Sequence, residues 1–313
     1  MNIQWYPGHM TKAKRAMKED IKLVDLIIEL VDARAPLASR NPDIDELGKG
    51  KARLVLLNKS DLADEGANDW WAAYFSGLGC QVVKMNCRTG AGIKQINGAV
   101  QAACREKLER DRRRGILNRP IRAMVVGIPN VGKSTFINAF AGKACTKTGN
   151  KPGVTKGNQW IRLNKSLELL DTPGILWPKF ADQEAGLRLA YIGSINDDIL
   201  NKEELALKLI RFLIACYPGA LSERYQAEGE EPLKVLEQIA KVRACLKKGG
   251  EYDLLRAANL LFDDFRGGKL GRITLELPAH TALGKENGGE DGKDINRGAV
   301  KEGDGAPGRD ACV

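Results

Sequence analysis

The 313-residue sequence predicts an α/β domain, with a mostly parallel sheet flanked by helices, followed by a smaller all-α domain. Short apolar runs alternate with helical patterns in the first part, which is typical of βαβ units. A glycine-rich loop joins the fourth predicted strand to the helix after it. Beyond about residue 181 only amphipathic helical patterns follow, so a helical domain is expected there.

The individual elements follow from the same patterns. Apolar runs that end at turn residues predict strands at 25–31, 53–57, 82–85 and 121–126, and a hairpin at 159–163 and 166–170. Helices are expected at 11–22, 43–49, 69–78 and 93–109, from near Lys133 onward, and at 205–216, 233–246 and 252–265. The basic segment 105–122 fits either a helix end or a linker. The domains are therefore set at 1–180 and 181–278, with a disordered, Gly-rich tail at 279–313.

Composition narrows the classes of partner. Lys and Arg outnumber Asp and Glu by 49 to 40, and the net charge of +9 favours a polyanion such as RNA. A basic surface kept for solubility explains the same excess equally well. The sequence has no run of eighteen apolar residues and no signal-peptide core, so we expect a cytoplasmic protein without a membrane partner. Seven Cys without a CxxC pair argue against a disulfide framework or a zinc site.

The glycine-rich loop fits a phosphate site. Residues 127–134 read GIPNVGKS, which matches G-x-x-x-x-G-K-S between a strand and a helix. Backbone N–H groups of such a loop close around phosphates at the helix N-terminus. Lys133 would reach the β- and γ-phosphates, and Ser134 would supply a hydroxyl ligand to Mg²⁺. The candidate phosphate-binding residues are Asn130, Val131, Gly132, Lys133, Ser134, Thr135 and Gly174.

Two later segments complete this site. Asp171 begins DTPG at a strand end, where its carboxylate could hold Mg²⁺ and the Gly174 N–H could sense a γ-phosphate. On its own DTPG fits a plain turn as well, but its place after the glycine-rich loop and a hairpin favours a second switch. Between the two lies NKPGVT, 150–155, in which Thr155 is the candidate that completes the Mg²⁺ shell.

A candidate guanine site precedes the phosphate site in the chain. Residues 58–61, NKSD, follow the second strand, and the Asp61 carboxylate can accept hydrogen bonds from guanine N1 and N2, where adenine offers no donor. Asn58 would brace the loop and Lys59 would pack over the base. Asn86 and Cys87 follow the third strand, where a backbone N–H could contact guanine O6. The sequence therefore predicts a P-loop GTPase that binds GTP and GDP. Its motifs come in the order G4-G5-G1-G2-G3, where G4 is NKSD, G5 the loop of Asn86 and Cys87, G1 the glycine-rich loop, G2 the loop of Thr155 and G3 DTPG.

Such an order indicates a circularly permuted domain, because strands need only be adjacent in space to build one site. The motifs WYPGHM (5–10), VDAR (31–34), NKSD, GIPNVGKS, NKPGVT and DTPG, in this order, resemble the circularly permuted GTPases of the YlqF type. The resemblance covers about residues 1–180, and the helical region to about 278 resembles the family's C-terminal domain. It implies a GTP-hydrolysing factor in late assembly of the large (50S) ribosomal subunit, stimulated by that particle. The implied partners are that subunit and its rRNA. We expect no DNA partner and a monomer.

Catalysis has no obvious water-orienting group, since Ile175 directly follows DTPG where many small GTPases carry a Gln. The resemblance implies that His9, in WYPGHM, is the catalytic group. Alternatively, His9 packs in a turn or touches RNA. The resemblance also implies that Asn130 coordinates K⁺, although an Asn here could simply cap the loop.

Other functions remain open at this stage. Ile175, which cannot orient a water, also agrees with a nucleotide-gated RNA-binding module that has little intrinsic catalysis. Asp61 argues against an ATP-dependent enzyme, and no lipid motif supports a membrane GTPase. Basic clusters that could contact RNA, or could be solvated helix faces, are Lys12, Lys14, Arg15 and Lys18; the segment 105–122; and Lys241, Arg243, Lys247 and Lys248.

Overall fold

The computed structural model describes residue 15 and residues 17–116, 119–146, 159–172 and 183–278. The chain divides into two compact units, Met1–Asn196 and Asp197–Val313. The sequence placed this boundary at 180/181, ahead of the helix Gln183–Tyr191, which the structure includes in the first unit. That helix has the same amphipathic pattern as the helices after it, so the pattern alone gives no sign of which unit buries Leu187 and Leu189.

The first unit is built on a six-stranded sheet with the order β3-β2-β1-β4-β6-β5. All neighbouring strands are parallel except β5 and β6, which form an antiparallel hairpin. The strands are β1 Leu26–Asp32, β2 Ala52–Asn58, β3 Gln81–Met85, β4 Ile121–Val126, β5 Gln159–Arg162 and β6 Leu167–Asp171. Every residue of β1 is buried, as expected for a central strand, although Glu29 and Asp32 interrupt its apolar sequence.

Among the described residues of this unit, α-helices lie at 17–20, within the predicted helix 11–22, and at Asp43–Leu47, Glu65–Gly77, Ile96–Ala103, Arg105–Arg113, Lys133–Ala141 and Gln183–Tyr191. One begins earlier than the predicted 69–78, because Asp64 caps it by accepting a hydrogen bond from the Ala67 N–H at 2.8 Å. The predicted single helix 93–109 is divided at Cys104. The segment after Cys104 has no buried residue, so no apolar face holds it in line with the preceding helix.

The second unit is helical, with Lys202–Cys216, Gly219–Tyr225, Pro232–Val242 and Leu254–Arg266 as its helices. Their buried faces share an apolar core, and Asp264 is buried where Arg224, Lys269 and the Tyr225 hydroxyl bond to its carboxylate. Within the described ranges no single helix is long and apolar enough to cross a membrane. The consecutive helices Lys202–Cys216 and Gly219–Tyr225 would together be long and apolar enough, by length and composition alone, but a bend of 114° separates them.

A cluster of ion pairs around one buried carboxylate lies at the sheet of the first unit. Glu29 lies on β1 with almost no exposed surface, and its Oε2 accepts bonds from Arg53 at 2.9 Å and Arg40 at 3.3 Å. Both guanidinium groups also contact Asp45 of the nearest short helix. This cluster ties β1, β2 and the segment between them together.

Replacing Glu29 with Ala should remove the buried carboxylate that Arg40 and Arg53 share and leave them only the exposed carboxylate of Asp45. We expect the free energy of unfolding in urea to fall by about 3–5 kcal/mol. The exposed Glu46→Ala is the matched control and should change it by about 0.5 kcal/mol or less. Equal stability of the two variants would show that the cluster does not stabilise the sheet.

Candidate functional site

Loops at the carboxyl ends of the parallel strands form one edge of the first unit. The glycine-rich loop follows β4, NKSD follows β2, Asn86 and Cys87 follow β3, and Asp171 ends β6. In an open α/β sheet this edge is where ligands bind. The fold therefore brings the candidate guanine and phosphate residues to the same edge, although 73 positions separate Asn58 from Val131.

The glycine-rich loop leads directly into the helix Lys133–Ala141. Gly132 has φ 104°, a conformation that L side chains rarely adopt, and a Cβ there would stand 2.5 Å from the Asn58 amide nitrogen. A glycine is thus required both by the backbone and by the approach of the neighbouring loop. Val131 is buried, whereas Ser134 and Thr135 are partly exposed at the start of the helix.

The Lys133 ammonium lies over the same loop. It donates to the carbonyl oxygens of Gly127 at 3.1 Å and Ile128 at 3.3 Å. Burial lowers the pKa of Lys133 to about 8, although the nearby Asp171 carboxylate opposes this shift. A phosphate oxygen would give this buried cation a stronger partner than either carbonyl, which suits the role predicted for it.

Asp171, the predicted magnesium ligand, carries a buried carboxylate at the end of β6. Its Oδ1 has no hydrogen-bond partner within the part of the chain described. Burial raises the pKa of Asp171 to about 6, and Lys133 limits the rise. A buried carboxylate oxygen in this state fits a magnesium ion or a water bound to it. Ser134 lies at the helix start nearby, and Thr155, the third predicted ligand, is outside the described residues.

Asn58 connects the two halves of the site. Its amide Nδ2 donates to the Val131 carbonyl at 2.7 Å, and its Oδ1 accepts from the Cys87 N–H at 3.0 Å. One side chain therefore fixes both the glycine-rich loop and the loop after β3. The neighbouring Ser60 adds bonds from its N–H and its hydroxyl to the Met85 carbonyl, each 3.1 Å long.

Lys59 is held by a carboxylate that the sequence analysis gave no role. The residue was predicted to pack over the base; its Nζ donates to Asp32 Oδ2 at 2.9 Å and to the Asn130 carbonyl at 3.1 Å. Asp32 also accepts two bonds of 2.9 Å from Arg34. Burial alone would raise the pKa of Asp32, but Arg34 and Lys59 outweigh it and hold this pKa far below its usual range. The sequence feature that could have indicated this role is the position of Asp32 in VDAR, at the end of an apolar strand.

The remaining guanine candidates differ in what they contact. Asp61 is exposed at the edge of the site. Asn86 closes its own loop, since its Oδ1 accepts from the N–H groups of Arg88 and Thr89. The Cys87 thiol is buried, and burial raises its pKa to about 12, so only the Cys87 backbone takes part in the bracing by Asn58.

Asn130 joins the glycine-rich loop to a later part of the first unit. It has φ 59°, and its amide nitrogen donates to the Gly193 carbonyl at 2.7 Å. The amide NH2 group is a hydrogen-bond donor, so a cation such as K⁺ would be coordinated through Oδ1. His9, Gly174 and Ile175 lie outside the described residues.

Together, the sheet order, the glycine-rich loop and the NKSD loop define a P-loop GTPase with permuted motif order. Residues 122–246 match the family described as 50S ribosome-binding GTPase. The chain is similar to ribosome biogenesis GTPase A of Bacillus cereus, with 50% identity over 280 residues, 89% of this chain and 95% of that protein. The Thermotoga maritima protein of that name is 33% identical over 88% of this chain and 95% of its own length.

Solved structures agree with this likeness. A structure of GNP-bound YlqF from T. maritima has a TM-score of 0.60 and 29% identity, covering 84% of this chain and 97% of that one. A GDP-bound YlqF structure gives a TM-score of 0.62 at 28% identity, covering 84% and 99%. The chain belongs to the ribosome biogenesis GTPase A (YlqF) family and is a GTP-hydrolysing enzyme.

Removing the Asn58 side chain should separate the two halves of the site. Asn58→Ala leaves the Val131 carbonyl and the Cys87 N–H without their partner, so we expect GTP and GDP to bind at least about tenfold more weakly, or about 1.4 kcal/mol. Titration calorimetry measures this loss. Asn164→Ala, in the exposed turn of the β5–β6 hairpin, is the control and should retain the wild-type affinity. Wild-type affinity of Asn58→Ala would contradict the bridging role.

Proposed function

We propose that this chain is a GTP-hydrolysing assembly factor for the large (50S) ribosomal subunit, and that the particle stimulates its turnover. The observation that carries the proposal is the 50% identity, over 95% of its length, to a protein named ribosome biogenesis GTPase A. The match of residues 122–246 to a family described as 50S ribosome-binding favours the large subunit.

The proposed nucleotide site uses the strand-end loops. Residues 130–135 and Gly174 bind the GTP or GDP phosphates, and Lys133 replaces its bonds to loop carbonyls with bonds to phosphate oxygens. Asn58, Lys59, Asp61 and the loop of Asn86 and Cys87 bind guanine. Ser134, Thr155 and Asp171 hold Mg²⁺, which neutralises charge on the phosphates. Among the described residues the buried Oδ1 of Asp171 has no hydrogen-bond partner, which supports this assignment.

We further propose that turnover needs help from outside these loops. His9 orients or polarises the attacking water, and K⁺ held by Asn130 Oδ1 balances the charge that develops on the phosphates. The engaged nitrogen of Asn130 supports the use of its oxygen. Neither assignment requires a Gln at position 175.

Basic surfaces supply the proposed contact with rRNA. Five arginines, Arg105, Arg110, Arg112, Arg113 and Arg114, are exposed on or beside the helix Arg105–Arg113, and Lys241, Lys247 and Lys248 are exposed in the second unit. Arg243 differs, because its guanidinium stacks 5.3 Å from the centre of the Tyr225 ring. We propose a cytoplasmic monomer that uses neither DNA nor a membrane.

Particle stimulation tests the proposal. GTP turnover should rise at least about tenfold when purified large subunits are added, and the stimulated rate should be at least about tenfold higher in KCl than in NaCl. Phosphate release at equal ionic strength measures both effects. Unstimulated turnover with GTP-dependent binding to the particle would instead indicate a nucleotide-gated RNA-binding module, and equal rates in the two salts would remove the K⁺ role.

His9→Ala isolates the catalytic step. We expect particle-stimulated turnover to fall by about 10²-fold or more, which is the usual range for a lost acid–base group, while GTP affinity stays at the wild-type level. His280→Ala, at the other histidine of the chain, is the matched control and should turn over normally. If His9→Ala keeps stimulated turnover with normal GTP binding, His9 is not the catalytic group.

A further inference from the structure

A cleft of about 210 Å³ opens on the sheet of the first unit, away from the loops that form the candidate nucleotide site. Its lining residues are Leu23, Arg122, Trp160, Arg162 and Glu168. Small-molecule sites usually span roughly 300–1,000 Å³, so this cleft suits a single planar group rather than a whole nucleotide cofactor. None of these residues has a part in the site already described.

Strand register explains why these side chains meet. Arg122 on β4 is aligned with Glu168 on β6, and Glu168 is aligned with Arg162 on the edge strand β5. The three side chains therefore form a row across three strands. Trp160 lies two residues from Arg162 on β5, so both side chains point to the same face, whereas the intervening Ile161 is buried on the other face.

The cleft is already arranged for an aromatic ligand. Arg122 Nε donates to Glu168 at 3.2 Å, and the Arg122 guanidinium carbon lies 5.4 Å from the centre of the Trp160 ring. This cation–π contact and the carboxylate hold the arginine in place. Trp160 is nevertheless 42% exposed, an unusual position for the largest apolar side chain.

Charge identifies the class of ligand. Arg122 and Arg162 are both exposed, and Glu168 is the acidic residue among the lining side chains. Within the described residues no carboxylate is paired with Arg162. Arg119, three positions before Arg122, is half-exposed but is paired with Asp25 at 3.6 Å, so the charge of the cleft rests on Arg122 and Arg162. A stacking surface flanked by cations is the arrangement that proteins use for single-stranded nucleic acid.

We propose that this cleft binds single-stranded RNA, with one base stacked on Trp160 and the adjoining phosphates held by Arg122 and Arg162. The inference rests on the proposed function for the source of that RNA, a single-stranded segment of the ribosomal particle. It adds a base-binding position to the GTPase unit itself. Glu168 is a positioning residue, since it orients Arg122 rather than contacting the RNA.

The test uses the full chain loaded with GDP and a fluorescein-labelled single-stranded oligouridine of about twelve nucleotides, followed by anisotropy. Trp160→Leu keeps an apolar side chain without a stacking surface and should weaken binding at least about tenfold, whereas Trp160→Phe should stay within about threefold of wild type. Arg162→Ala should weaken binding and reduce the salt slope by about one. Lys94→Ala, an exposed charge on the same unit, is the control and should leave oligouridine binding within about twofold.

An abasic strand of the same length separates stacking from charge. Trp160→Leu should bind it as well as the wild-type protein does, because no base is present to stack. An equal loss on both strands, or wild-type oligouridine binding by Trp160→Leu, overturns the inference. Cleft-dependent binding of a polyglutamate peptide in place of the RNA also overturns it.

Particle-stimulated GTP turnover is measured separately on the same variants. If the wild-type protein shows no stimulation but oligouridine binding depends on Trp160 and Arg162, the proposed function fails and the cleft remains an RNA site. If stimulation is present while the cleft variants bind oligouridine normally, only the inference about the cleft fails. GTP affinity confirms that each variant is folded.

Discussion

The side chain of Asn58 is the constraint on which the candidate nucleotide site depends. It is the point where β2 meets the loop after β4 on one side and the loop after β3 on the other, through bonds of 2.7 Å and 3.0 Å. Both partners are backbone groups, so the bonds themselves do not use the side chains of Val131 and Cys87. The permuted chain order is tolerated because these bonds join strands that are adjacent in space and not in sequence.

Two sets of charged residues at the same strand edge differ in how far their charges are balanced within the protein. Asp32 has Arg34 and Lys59 as partners and keeps a strongly lowered pKa, which makes it a fixed anion under the NKSD loop. Asp171 and Lys133 are buried near each other, yet burial dominates both, raising one pKa and lowering the other. The Asp32 carboxylate is thus balanced by two cations within the protein. The pair of Asp171 and Lys133 is the one that the proposed phosphate and magnesium would stabilise.

Much of the fold could be predicted, because each strand is an apolar run followed by turn residues and each was placed within about one residue of its position. The glycine-rich loop and NKSD could be recognised because the residues that would bind phosphate or guanine lie together in one short segment. The partner of Lys59 could not be found this way, since Asp32 lies 27 positions earlier and reaches it only through the pairing of β1 with β2. For the same reason, no periodicity revealed that Trp160 and Arg122 share a cleft.

The strand order has a consequence for synthesis on the ribosome. The first three strands form one continuous block, β3-β2-β1, and the last three form another, β4-β6-β5, so the two blocks meet only where β1 pairs with β4. Until β4 has been made, one edge of β1 has no strand beside it, although all seven of its residues are destined for the interior. An apolar strand with an open edge readily pairs with other chains. The arrival of the strand that carries the glycine-rich loop is therefore also the step that covers the open edge of β1.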